Sequence, residues 1–202
     1  MFPLNKVKNT IKNYTYFKDY FRIRENKIPI SLKQYIYYKL FNRNKKIYWP
    51  VHPRSIVSGN VSIGINSSVG ATPGCYIQGI GEVYIGDYTL IGPNVGIISA
   101  NHNILDYREH SGKKVEIGNY CWIGMNSVIL PGVTLGNHTI VGAGSVVTKS
   151  FDEGYCIIAG NPARIVKRFN KNEKIDYKDE YEYYGYIPKS EFEKYKKKYL
   201  NH

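Results

Sequence analysis

Proton chemistry at neutral pH points first to the histidines, since a neutral imidazole with a reference pKa of about 6.5 accepts a proton readily. The chain has five: His52, His102, His110, His138 and His202. His102 stands apart by its place. It closes the run Ile97-Ile98-Ser99-Ala100-Asn101-His102, where a six-residue pattern stops and a polar, charged stretch, Asn103–Lys114, begins. A segment expelled from a rigid scaffold is where functional residues concentrate. His102 at its base is therefore the candidate for moving a proton, and His110 within it a candidate contact. His138 sits mid-repeat and is expected to face solvent; His52 precedes the repeats and His202 is terminal. The three cysteines, Cys75, Cys121 and Cys156, are odd in number and widely spaced. They read as reduced packing residues rather than a disulfide framework.

The elements that must hold these residues are written in a period of six. Ile117, Ile123, Ile129, Leu135, Val141 and Val147 recur at that spacing, and the same phase occurs at Val57, Ile63, Val69 and at Ile85, Ile91, Ile97. Glycine often follows (Gly118, Gly124, Gly136, Gly142), and the fifth position is small or β-branched (Cys121, Ser127, Val133, Thr139, Ser145). Neither helix nor strand periodicity gives six, whereas hexapeptide units build β-helix solenoids. Each hexad supplies a short strand and a turn, and three make a triangular coil. Stacked coils turn the aliphatic positions into a continuous apolar column. The glycines are expected to take corner backbone angles that a Cβ forbids. The phase breaks between Cys75 and Ile85 and again between Ile97 and Ile117, where the polar stretch leaves the coil.

The chain's 202 residues divide into a helical, basic and aromatic segment 1–50, with Pro29 and Pro50 as breaks, a β-helix at 51–152 with the expelled loop 103–114, and a C-terminal extension and tail at 153–202. Residues 1–50 hold 12 Lys+Arg against 2 acids. The basic excess thus belongs to this segment and says little about the solenoid; no nucleic acid partner is expected. Its seven tyrosines, Phe2, Phe17, Phe21, Phe41 and Trp49 suit a cap over the first coil, and the same composition could lie on an anionic membrane surface. No apolar run approaches the roughly 18 residues that span a bilayer, and Met1–Lys12 lacks the apolar core of a signal peptide. A cytoplasmic location is expected, membrane-peripheral if the basic segment makes that contact.

The strings IGDYTLIGPNVGIISANHN, VEIGNYCWIGMNSVILPGVTLGNHTIVGAGSVVTKS and AGNPARIVKR carry a resemblance over residues 50–169. They resemble the hexapeptide-repeat acyltransferases, in particular the sugar O-acetyltransferases related to galactoside and maltose acetyltransferases and those of bacterial surface-polysaccharide clusters. The resemblance implies an all-β solenoid, a left-handed parallel β-helix with an N-terminal helical cap and a C-terminal helical tail. It implies transfer of acetyl from acetyl-CoA to a sugar hydroxyl in surface polysaccharide biosynthesis, without a metal, with the family's catalytic histidine at His102 as general base. The pantetheine would run beside Trp122, Met125, Ala143 and Thr148, with Lys149, Arg164 and Lys167 toward the phosphates. Acceptor contacts fall on Thr72 or its neighbours, Asn101, Asp106 and His110, and the family's homotrimers share sites between protomers. N-acetylation of an amino sugar remains open, because an amine must lose a proton to the same histidine. A non-enzymatic scaffold is a third class. A zinc lyase of the γ-carbonic anhydrase kind needs three converging histidines, and no third one is suitably placed.

Overall fold

Val57, Ile77, Ile97, Ile129 and Val147 stack one above another through parallel pairings. The computed structural model describes residues 17–26, 28, 30–41, 45–173 and 176–200; residues 1–16, with Phe2, and Pro29 and His202 lie outside them. A second column runs Ile63, Ile85, Ile117, Leu135 and Phe151. A third runs Val69, Ile91, Ile123, Val141 and Ile158, with Ser68 bridging Leu90 at its start. The three columns fill the inside of a parallel β-solenoid of five coils. Each coil completes the cover of the one before, which is why hexads fold only as a stack.

Two details depart from the sequence reading. The phase first breaks before Cys75 rather than after it, since Ile77 takes the next column position after Val69, and the extra residues are taken up twice. Gly70 and Gly74 turn at φ +66° and +78°, and the strand Tyr76–Ile85 runs round a corner beside Ile56–Ile63, with a register shift between Gly59 and Val61. The second departure concerns Gly118, Gly124, Gly136 and Gly142, none of which has a left-handed backbone. Their reason is proximity: a Cβ on Gly118 would lie 2.7 Å from Asn137 N, and one on Gly136 2.2 Å from Asp152 O. Positive φ falls two residues later, at Asn66, Tyr88, Tyr120, His138, Asn94 and Asn126.

The small residues two before each column position satisfy those close-packed corners. Thr89 Oγ1 donates to Gly118 O at 2.8 Å, Ser127 Oγ to Gly142 O at 3.0 Å, and Cys121 Sγ to Gly136 O at 3.3 Å. A buried carbonyl left alone would cost about 1–3 kcal/mol, so the position selects Ser, Thr or Cys wherever a β-branched apolar residue does not fill it.

Both ends of the chain cover the first coil. Helix α1 (Lys18–Glu25) and helix α2 (Leu32–Phe41) bury Tyr20, Ile23, Ile28, Ile30 and Tyr35 against Tyr183 and Tyr186 of the tail. Ser31 and Gln34 exchange side-chain and backbone bonds at 3.2 and 2.8 Å, a capping box that starts α2. Tyr48 OH donates to Ile63 O and accepts from Ile63 N, while Trp49 Nε1 donates to Val69 O at 3.0 Å. The C-terminal helix α3 (Lys189–Tyr199) stacks Phe192 on Tyr184 at 3.8 Å.

The tail reaches the cap along one edge of the solenoid, over a column of rings. Tyr88, Tyr120, His138 and Tyr155 stack at centroid spacings of 5.1, 5.0 and 5.1 Å. His138 is thus buried rather than solvent-facing, and its Nε2 lies 2.8 Å from Asp176 Oδ1. The sequence reading missed this because the side chain at the positive-φ corner turns along the edge. Farther up, Asn66 bonds Asp179 Oδ2 at 2.8 Å and receives Tyr183 N at 2.9 Å.

Candidate active site

The expelled segment is a β-hairpin. Ala100–His102 pairs antiparallel with His110–Gly112, placing Ala100 opposite Gly112, Asn101 opposite Ser111 and His102 opposite His110. Its root is fixed by Ser99 Oγ, which donates to Gln78 O at 2.7 Å, and by Lys113 N, which donates to Ser99 O at 2.7 Å. Above the paired residues, Asn103 N donates to Glu109 O and Asn103 Nδ2 to Glu109 Oε2, both at 2.9 Å. The Asp106 carboxylate takes Arg108 Nη2 at 2.6 Å, and the guanidinium holds that carboxyl below the usual carboxylate range.

At the loop end of the strand pair His102 and His110 sit with ring centroids 4.4 Å apart, both exposed. His102 Nδ1 bonds the Tyr107 carbonyl oxygen. A carbonyl can only accept, so Nδ1 carries the proton and Nε2 is left with a free lone pair. Of the two ring nitrogens, Nε2 is then the one able to accept a proton. The tip beyond carries Ile104 and Leu105, 98% and 95% exposed.

The other candidate residues fall into separate regions of one protomer. Thr148 and Lys149 follow Val147 and so share the hairpin's edge, three coils and two coils on respectively from Ile77 and Ile97. Lys149 Nζ lies 5.7 Å over the Phe151 ring and borders a cleft of about 280 Å³ with Ile165 and Arg168. Met125 and Ala143 lie on a different edge, where Gly144 N donates to Met125 O at 2.9 Å. Arg164 joins that edge through its pairing with Ala159, whose Cβ abuts Gly142. Trp122, 57% exposed, lies on the face between the Met125 edge and the edge of the stacked rings, in an outward row Leu90, Trp122, Ile140, Ile157 and Lys167. Thr72 is on the Met125 edge, its Oγ1 3.4 Å from Ile91 O. His102, Asn101, Asp106 and His110 are thus brought together on the hairpin, while the remaining residues divide between two edges and a face.

Cys75, Cys121 and Cys156 are free and buried. Burial pushes the Cys121 thiol up to about 11, which removes it as a nucleophile at neutral pH. Among the described residues no group of three or more His, Cys, Asp or Glu comes together as a metal site. The sequence reading had not paired His102 with His110 or seen the apolar row around Trp122. The second was findable, since Leu90, Trp122, Ile140 and Ile157 all precede column residues.

Residues 114–149 match the bacterial transferase hexapeptide family (six repeats). The chain is similar to nodulation protein L of Rhizobium meliloti (strain 1021), 43% identical over 79 residues, covering 37% of this chain and 42% of that protein. The match therefore spans under half of that relative's length. Among solved structures, galactoside acetyltransferase in complex with coenzyme A is 28% identical with a TM-score of 0.60, covering 83% of this chain and 87% of that one. A hexapeptide-repeat-containing acetyltransferase of Vibrio cholerae O1 biovar eltor, complexed with acetyl coenzyme A, is 26% identical with a TM-score of 0.56, covering 79% and 92%.

Proposed function

We propose that this chain, a hexapeptide-repeat protein by its fold and its family match, is an acetyl-CoA-dependent O-acetyltransferase of a sugar or glycan, working in surface polysaccharide biosynthesis. The observation that carries the catalytic assignment is the His102 tautomer: Nδ1–H is tied to Tyr107 O, so Nε2 is the acceptor. An alcohol is too weakly acidic to ionise at neutral pH, and Nε2 takes its proton as the new C–O bond forms. The thioester supplies the activated acyl carbon, and its sulfur leaves as the C–S bond breaks. The imidazolium returns the proton to that thiolate, which restores the base and balances the step. His110, its ring centroid 4.4 Å away on the same side of the hairpin, contacts the acceptor. The similarity to acetyltransferases solved with coenzyme A and acetyl coenzyme A supports the donor. A mass-spectrometric screen of hydroxyl and amino sugar acceptors with acetyl-CoA tests the reading. An acetylated hydroxyl is the expected product, and acetylation of amines alone would replace it with N-transfer.

The donor would lie between protomers. The hairpin with Thr148 and Lys149 occupies one edge of a solenoid, and Met125, Ala143 and Arg164 another. An edge of each kind, from neighbouring chains, makes a groove with the base on one wall and an arginine on the other. The exposed Ile104 and Leu105 at the hairpin tip favour the same contact. Sedimentation should give three times the chain mass of 23.2 kDa. After subunit exchange, His102→Ala chains mixed with Arg164→Ala chains should regain part of the activity at subsaturating donor. No recovery despite proven exchange would place the whole site on one chain.

Lys149 and Arg164 are assigned to the CoA phosphates, with Lys167 on the strand that also carries Arg164. The double variant Lys149→Ala/Arg164→Ala should weaken CoA roughly tenfold or more, since charge-assisted bonds to phosphate outweigh neutral ones even at a solvated surface. Calorimetry reads this directly, and saturating donor should restore turnover. Unchanged affinity would remove both residues from the donor site.

A further inference from the structure

Helix α2 is apolar on both sides, which a cap alone does not require. Its inner side carries Tyr35 into the cluster with Tyr20 and Tyr186. On the outer side Leu32, Ile36 and Leu40 recur at four-residue spacing, one stripe along the helix. All three are exposed, Leu40 by 58%, with Tyr37 at 63% beside them. A surface helix of a globular protein ordinarily turns charged residues outward there. Ile36 and Tyr37 also wall a cleft of about 830 Å³ with Trp49, Val51, Pro53 and Tyr186, and Lys33 lies on its lining.

The charge around this stripe is predominantly positive, and among the described residues Lys39 alone on the helix is paired to an acid, Asp19 at 3.7 Å. Helix α2 contains Lys33 and Lys39 and no acid, Lys45 and Lys46 follow it, and residues 1–50 hold 12 cations against 2 acids. A second copy would bring the same positive charge to the contact, and like charges would oppose it. Among the described residues no helix is long and apolar enough to cross a membrane.

We propose that α2 lies flat on an anionic lipid surface, with Leu32, Ile36 and Leu40 entering the acyl boundary and Lys33, Lys45 and Lys46 facing the headgroups. Both halves of the contact are needed. A stripe of three aliphatic residues gains only a few kcal/mol at full burial, and each basic residue near an anionic surface adds about 1 kcal/mol. The inner tyrosines meanwhile keep the helix fixed to the first coil, so the solenoid would sit at the bilayer with its first coil toward the lipid. This contact is independent of the chemistry at His102.

Flotation of the full chain with vesicles tests it, using phosphatidylcholine alone and phosphatidylcholine mixed with phosphatidylglycerol. Binding is expected to the anionic vesicles and to weaken as salt rises. Ile36→Asp/Leu40→Asp should lower the bound fraction at least about tenfold, given the aliphatic burial it removes, with the circular dichroism and melting curve retained. Should that variant misfold, Lys33→Glu/Lys46→Glu tests the electrostatic half on exposed positions and should also release the protein. Failure of the wild-type chain to float with anionic vesicles overturns the proposal, as does full binding by a folded variant. Self-association that the aspartates abolish, without lipid binding, would assign the stripe to a second copy instead.

Discussion

His102→Ala is expected to lower turnover by about 10²–10⁴-fold, the worth of a positioned general base, while acetyl-CoA affinity stays nearly unchanged. The hairpin should survive the substitution. His102 is exposed, and the strand pairing and the Asn103–Glu109 bonds that hold the hairpin do not involve its ring. His110→Ala is the matched control, because its ring centroid is only 4.4 Å away and it is also exposed. That variant should raise the acceptor KM more than it lowers kcat, as expected for a contact residue. Steady-state kinetics on an accepted sugar, with CoA affinity by calorimetry, separate the two. Near wild-type kcat in His102→Ala, with a large loss in His110→Ala, would exchange the roles of the two histidines.

The solenoid could be read from the sequence because each column residue reports its own burial through the period of six. Ile117, Ile123, Ile129, Leu135, Val141 and Val147 all lie in the interior. The corners were less legible, since the sequence shows a glycine without its reason. At Gly118 and Gly136 the reason is the next coil pressing against the position where a Cβ would stand. The strained angle sits two residues on, where a tyrosine or histidine hides it. An L-residue there costs about 1–2 kcal/mol, and the stacked rings of Tyr88, Tyr120, His138 and Tyr155 offset that cost across coils. His138 therefore looked like a surface residue in sequence and is buried in structure. The candidate site was legible at His102, which a break in the period marks. His110 was legible as a contact but not as the residue facing His102, because hairpin register depends on pairing across a stretch that has no repeat. The division of the donor residues between two edges follows from the count of three hexads to a coil: Met125 and Ala143 are eighteen apart and share an edge, while Lys149, six beyond Ala143, falls on the next.

Trp122 and Ile123 are adjacent in sequence and should behave as opposites. Ile123 is fully buried between Ile91 and Val141 in its column. Ile123→Ala removes its outer side-chain carbons from a stack that cannot collapse sideways, because coils above and below fix the spacing. The expected loss is about 2–5 kcal/mol of unfolding free energy, a large part of the roughly 5–15 kcal/mol that holds a typical domain. Chemical denaturation at fixed protein concentration should show this as an earlier midpoint with little change in slope. Trp122 points outward, 57% exposed between Leu90 and Ile140, so Trp122→Ala should leave the midpoint close to wild type. Its expected effect is on the donor, as a raised KM for acetyl-CoA. Each measurement thus checks the other. A Trp122→Ala chain as unstable as Ile123→Ala would mean that the outward row is structural and covered in the assembled protein. A stable chain with unaltered donor KM would take Trp122 out of the groove, leaving the assignment of that face to Lys167 alone.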